Sequence, residues 1–341
     1  MDGINDRKPS IAQAGFIFSI TILLFILIAY RVQGREFYSG ILITEFGLIL
    51  LPGLIFLLLF RYNPKDVLKL KKTRPLNFLI SFGLIIFAIP LAGAFNLLNL
   101  LLVNSIFGKV AVQQVPVASN SRELLLNLIV IAGSAGLCEE FLFRGIIQNA
   151  FERLGTARAI LLSAFLFSLT HMDFQKIFGT FLLGALIGFI VYRTNSLYCG
   201  MFAHIVNNGI AVFVTYLSAK MMSLFEEAPD QLMEGFNPEE FFSAFKTMEP
   251  AQSIMVLFIY GFILLFVAII FILLFFALIK LNPVGKEKRE FTGYNRKNHI
   301  TGLLWLLPGL LIIAGIYLLE ACKFIGIENG ITEAARRLLG A

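Results

Sequence analysis

Long apolar runs separated by short charged stretches set the pattern of this chain from residue 11 onward. A helix that crosses about 30 Å of hydrocarbon needs roughly 20 apolar residues, at about 1.5 Å of rise each. Nine runs meet or approach that length: 11–30, 38–60, 77–103, 123–150, 157–172, 174–193, 195–218, 251–279 and 300–319. The fifth is short and the fourth is long. In lipid the backbone must satisfy its own hydrogen bonds, which favours helices for such runs. The expected fold is therefore all-α: a polytopic transmembrane helix bundle of about nine spans, a single membrane domain over 1–341. The first run follows Arg7 and Lys8, as the core of a signal peptide would. Its length exceeds the roughly 7–15 residues of such a core, and no small-x-small cleavage site follows, so a retained first span is expected.

Composition agrees with a lipid-embedded chain. Of 341 residues, 58% are hydrophobic and 15% charged, against about 25% charged in soluble domains. The net charge of +6 comes from basic residues gathered in short loops. That is the pattern of cytoplasmic loops rather than of nucleic-acid binding. The stretch Arg61–Arg74 holds Lys65, Lys69, Lys71 and Lys72, and the stretch Lys280–Lys297 holds Lys286, Lys288, Arg289 and Arg296. Nine spans with a cytoplasmic N-terminus put both on the inner side, together with Arg153, Arg158 and Arg193. Residues 219–250, rich in Glu226, Glu227, Asp230, Glu234, Glu239 and Glu240, then form an extracytoplasmic acidic segment. Residues 251–341 carry additional C-terminal spans and a tail, in which Ile331–Leu339 reads as an interfacial helix or as a frayed terminus. Cys138, Cys199 and Cys322 are too few and too scattered for a disulfide framework or a C-x-x-C site.

Ionisable residues inside a span cost about 2.5–3.5 kcal/mol each on insertion scales and point to function. The fourth run reads S-A-G-L-C-E-E-F-L-F-R-G. Glu140 and Arg144 are four apart and share a helix face in the favourable order, acid before base. Glu139 points about 100° away without that partner, so it is the carboxylate free for general acid–base work. The competing reading is an E-E-x-x-x-R ion-pair network that only locks helices together. The fifth run ends with Phe167 and His171; a single histidine on an apolar face is more often a satisfied core group. In the seventh run His204 and Asn208 share a face, either as interhelical hydrogen-bonding glue or as donors to an oxyanion. His299, among basic residues, needs no functional account. Counting from the inner loops, Glu139 and His171 rise roughly 20 Å and His204 roughly 14 Å, so the three can meet. Gly184 and Gly188 in the sixth run, and Gly133 and Gly136 in the fourth, are expected to pack the helices that hold the site.

This set allows amide hydrolysis without a covalent intermediate. A carboxylate activates water, one histidine orients it, and a histidine with an asparagine holds the oxyanion. No cofactor is then needed. Two alternatives remain: zinc bound through Glu139, His171 and His204, although no H-E-x-x-H occurs, and Cys138 as a thiol nucleophile. A proton-coupled transporter, with the buried Glu and His as relay, is a further reading, but no inverted repeat supports it.

E-E-x-x-x-R at Glu139–Arg144, F-x-x-x-H at Phe167–His171 and H-x-x-x-N at His204–Asn208 resemble, in order and on three separate spans, the CAAX protease and bacteriocin-processing family. Its eukaryotic members are the Ras-converting CAAX endopeptidases. Upstream, Glu45, Pro52 and the run L-K-L-K-K-T-R-P look like the lead-in of prokaryotic members. The resemblance implies a CAAX-protease-like core over 123–218 and an intramembrane glutamate-type endopeptidase in the cell membrane. Its substrate would be a membrane-associated or lipidated protein or peptide, with no nucleic-acid partner, and its source prokaryotic. It also implies roles: Glu139 with His171 activates water, His204 with Asn208 forms the oxyanion site, and Glu140 and Arg144 fill the remaining motif positions. The last third of the chain lies outside the resemblance. CAAX processing and peptide or bacteriocin maturation both stay open, as does a non-catalytic bacteriocin self-immunity protein of the same fold.

Overall fold

The computed structural model describes residues 8–110, 117–222, 243–245, 247–284, 301–327 and 330. The described residues are all-helical, with no strand. Among the described residues, eight helices are long and apolar enough to cross a membrane: α1 (Ile11–Gln33), α2 (Phe37–Leu59), α3 (Pro75–Phe107), α4 (Ser121–Leu154), α6 (Ile177–Thr194), α7 (Leu197–Met221), α8 (Pro250–Leu281) and α9 (Thr301–Ile325). Between α4 and α6 lies α5, Thr156–Leu169. The fifth expected span, 157–172, is therefore corrected. Its helix has 14 residues and rises about 21 Å, short of the roughly 30 Å of a hydrocarbon core.

The chain still passes from one end of the bundle to the other across α5, because contacts at both ends fix the alternation. At one end, Lys8 and Lys69 both pair with Glu152, the former at 2.5 Å. There too Asn149 donates to the Val67 carbonyl at 2.9 Å, Ser196 to the Lys71 carbonyl at 2.6 Å, and Arg193 to the Ile279 carbonyl at 2.5 Å. At the other end Asn99 donates to the Phe174 carbonyl at 2.8 Å, and the Phe174 N–H donates to Glu320 at 3.3 Å. Phe107, Phe174 and Phe324 pack their rings there, with centroids 5.1–5.4 Å apart. The stretches before α1, between α2 and α3, between α4 and α5 and between α6 and α7 thus share one end with the end of α8. The charge pattern required that grouping. The acidic segment's named residues, Lys286–Lys297, His299 and the tail lie outside the described residues.

Packing divides into two apolar clusters. One joins α1, α2, α4, α5 and α9, with Phe18, Ile49, Leu142, Phe143 and Ile313 in its interior. The other joins α3, α6, α7 and α8 through Leu84, Ile187, Ala203 and Leu278. The apolar groups of each cluster need no partner beyond close packing, whereas the polar side chains of α4 and α7 must find one another where the clusters meet. In α4, π-helical turns at Leu128–Gly133 and Phe141–Ile147 flank the α-helical stretch Ser134–Glu140. Such bulges are frequent at functional sites because they re-aim side chains along a helix. Close helix crossing there depends on Gly136, where a Cβ would stand 3.0 Å from the Ile205 nitrogen and 3.2 Å from the Met201 carbonyl oxygen.

Candidate active site

Two polar motifs 64 residues apart meet through His204. Its Nδ1 lies 2.8 Å from Glu140 Oε1, and its Nε2 lies 3.6 Å from Glu139 Oε2. Arg144 Nη1 donates to the same Glu140 Oε1 at 2.7 Å, so the expected i, i+4 pair forms even though the π-helical turn begins at Phe141. The side chains of Glu140 and Arg144 are fully buried, whereas that of Glu139 is 18% exposed. The doublet therefore divides its labour by environment. Glu140 is held by a cation and a histidine, and Glu139 keeps an accessible carboxylate.

Arg144 is fixed by more than its carboxylate. Nη2 donates to the Gly184 carbonyl at 3.0 Å, and the guanidinium lies over the Phe167 ring, 4.4 Å from its centroid. One turn further along α4, Gln148 donates to the Gly188 carbonyl at 3.0 Å. The glycine pair on α6 opens that approach. A Cβ on Gly184 would stand 3.0 Å from Phe167 and 3.3 Å from Arg144, and one on Gly188 2.5 Å from Gln148 Oε1. Gly133 differs from the other three, since a Cβ there would meet only its own helix, at 3.5 Å.

Phe167 is the hub that brings His171 into the group. Its ring meets the rings of His171 and His204 edge-on, at 5.0 and 5.7 Å. His171 lies beyond the end of α5 rather than inside the span, and its side chain is exposed. Its Nδ1 is 3.1 Å from the Phe167 carbonyl oxygen. A carbonyl only accepts, so Nδ1 carries the hydrogen and Nε2 of the neutral ring is left with a lone pair. His171 also interacts electrostatically with Glu139 and His204. Asn208 follows His204 by one turn of α7. It is half-buried, and its side-chain oxygen accepts from Asn207 at 3.0 Å.

Gln148 and Gly200 lie outside the motifs, and Glu45 enters the sequence reading only as part of the upstream lead-in. Glu45, in α2, is buried, has an oxygen without a partner among the described residues, and interacts electrostatically with Glu139 and Cys138. A carboxylate inside the run 38–60 was itself the signal that could have found it. Gln148 gave a weaker signal, as a polar residue one turn beyond Arg144. Gly200 gave none: a Cβ there would press 2.4 Å from Val191 and 3.1 Å from Oε2 of Glu140, which has no partner among the described residues.

Among the described residues, no three His, Cys, Asp or Glu side chains are grouped to hold a metal ion. In each histidine it is Nδ1 that is engaged, in His171 by a backbone carbonyl and in His204 by Glu140.

Residues 121–210 match the family model described as type II CAAX prenyl endopeptidase, Rce1-like. That segment holds Glu139, Glu140, Arg144, Phe167, His171, His204 and Asn208. The match covers about a quarter of the chain, and it is to the CAAX prenyl endopeptidases that this part is similar. No curated protein and no solved structure matches the chain.

Proposed function

We propose that this protein is a glutamate-type intramembrane endopeptidase. It hydrolyses a peptide bond in a membrane-associated or lipidated protein or peptide, by CAAX-type processing or peptide maturation. The observation that carries the reading is the position of His204. It is held by the buried Glu140–Arg144 pair and turned toward the accessible Glu139. The multi-pass protein sits in a prokaryotic cell membrane with its N-terminus in the cytoplasm. Lys8, Lys69, Lys71 and Arg193 share the inner end, in keeping with the positive-inside rule.

In the reaction, Glu139 takes a proton from a water that His171 helps to orient, as the water oxygen attacks the scissile carbonyl. Nε2 of His171 is available as acceptor because Nδ1 is committed to Phe167. The developing oxyanion is met by Nε2–H of His204 and by the amide N–H of Asn208. Because Nδ1–H of His204 is given to Glu140, donation from Nε2 requires the imidazolium form. The proton taken from water passes to the departing amine, leaving a carboxylate and a free amine without a covalent intermediate. General acid–base catalysis of this kind contributes about 10²–10⁴-fold, and an oxyanion donor about 10²–10³-fold.

The test is purified protein in vesicles, offered lipidated and unmodified peptides, with products mapped by mass spectrometry. Wild type is expected to release a defined fragment, and Glu139→Ala, His171→Ala and His204→Ala to lose it. Equal cleavage by all four would move the site elsewhere. Loss of activity on chelation and its return with zinc would replace the metal-free route. Proton-coupled uptake without cleavage would point to transport.

A further inference from the structure

The inner end of the bundle carries a second concave site, outside the catalytic group. It is an open depression of about 560 Å³, lined by Lys72, Thr73 and Arg74 at the start of α3, Arg193 near the end of α6, and Leu281 and Asn282 at the end of α8. Three lining residues are cations and none is acidic. Among the described residues none of the three forms an ion pair. Arg74 and Arg193 instead donate to backbone carbonyls, of Leu281 at 3.3 Å and Ile279 at 2.5 Å. These bonds fix the guanidinium groups without neutralising them.

Further donors are available there. Nε of Arg193 is buried and has no partner among the described residues. The Thr73 hydroxyl accepts from Asn77 at 2.6 Å, which leaves its own hydrogen to give. Asn77 and Asn282 exchange side-chain hydrogen bonds at 2.8 and 3.0 Å, tying the start of α3 to the end of α8 and holding the wall in place. Arg74 is also the N-cap of the 33-residue α3 and makes no side-chain cap bond, so the positive end of that helix faces the same region.

We infer that this site binds the phosphate head group of an anionic phospholipid of the inner leaflet. Multiple donors, uncompensated charge and a helix N-terminus are the chemistry of a phosphate site. Location selects a lipid as its source. The site lies where α3 and α8 reach the end of their apolar spans, and Leu76, Leu79 and Phe276 stand exposed next to it along those helices. A head group held by the cations would lay its acyl chains against that apolar surface. Such a lipid would clamp α3 to α8, and with them α6, whose Gly184 and Gly188 hold Arg144 and Gln148.

Native mass spectrometry of the full-length protein in non-ionic detergent tests this. The probes are phosphatidylglycerol, phosphatidylcholine with the same acyl chains, and inorganic phosphate. Wild type is expected to retain phosphatidylglycerol over phosphatidylcholine. Lys72→Gln/Arg74→Gln should weaken retention about 25-fold, at about fivefold for each basic residue removed near an anionic surface. Both residues are exposed, so the fold should survive; the single Lys72→Gln, with about a fivefold loss, tests the same point should the pair not fold. The charge-matched pair Lys65→Gln/Arg158→Gln, away from the site, should retain the lipid as wild type does. Equal losses from both pairs, equal retention of the two lipids, or displacement of the lipid by equimolar inorganic phosphate would each overturn the assignment.

Discussion

Replacing Arg144 by Met keeps an unbranched apolar stem and removes the charged guanidinium. The structure predicts a large cost. Glu140 Oε1 and Arg144 Nη1 are 2.7 Å apart with both side chains fully buried. Two unit charges about 4 Å apart attract by about 4 kcal/mol at an effective dielectric constant of 20. Breaking a buried pair from one side costs about 3–5 kcal/mol, because the remaining charge stays buried. Here that charge would be Glu140, whose Oε2 already has no partner among the described residues. Arg144→Met also forfeits the hydrogen bond to Gly184 and the contact with Phe167. The double variant Glu140→Gln/Arg144→Met removes both charges and should recover 2 kcal/mol or more of the loss, an order set by the same buried-pair measurements. It should not recover activity, since His204 then lacks the carboxylate that orients it. Denaturant unfolding of the four proteins in a mixed micelle, alongside peptide cleavage, completes the double-mutant cycle. A single-variant cost below about 1 kcal/mol, typical of an exposed pair, would refute the view that this pair is the buried anchor of the site. So would a double variant no more stable than Arg144→Met.

Gly136→Ala should cost about 1–3 kcal/mol and lower activity, because the new methyl group meets the backbone of α7. Gly93→Ala, where a Cβ meets nothing within 4 Å, should be neutral or stabilise by up to about 1 kcal/mol; thermal unfolding compares the two. Gly184→Leu should displace Arg144 and Phe167 and abolish cleavage while the protein still inserts in the membrane, which an activity assay on extracted protein reads directly. Asn77→Leu should weaken the junction of α3 with α8 by about 0.6–2 kcal/mol, measured by the same unfolding assay.

Periodicity and charge made much of this arrangement legible in advance. Apolar length marks the long helices, and basic loops group their ends. The i, i+4 spacing of Glu140 and Arg144 identifies the pair and leaves Glu139 as the accessible carboxylate. His171 shows where a length rule stops working. The apolar run continues to residue 172, but the helix ends at Leu169 and Met172 takes a positive φ of 50°. The 3.6-residue period also cannot foresee the π-helical turns of α4, nor that His204 would pair with Glu140 rather than with Glu139 alone. That choice depends on how closely α4 and α7 approach at Gly136. Glu45 was readable as a carboxylate inside an apolar run, but only the fold places it beside Glu139.

The central claim is that Glu139 activates the attacking water. The most direct measurement is the single-turnover cleavage rate of Glu139→Gln against wild type in the same vesicles, on one peptide that wild type cleaves. The carboxylate is partly exposed and its contact with Nε2 of His204 is a long one, 3.6 Å, so its amide should leave folding within about 0.5 kcal/mol of wild type. The rate should fall by about 10²–10⁴-fold. A folded Glu139→Gln protein that cleaves at the wild-type rate would contradict the account.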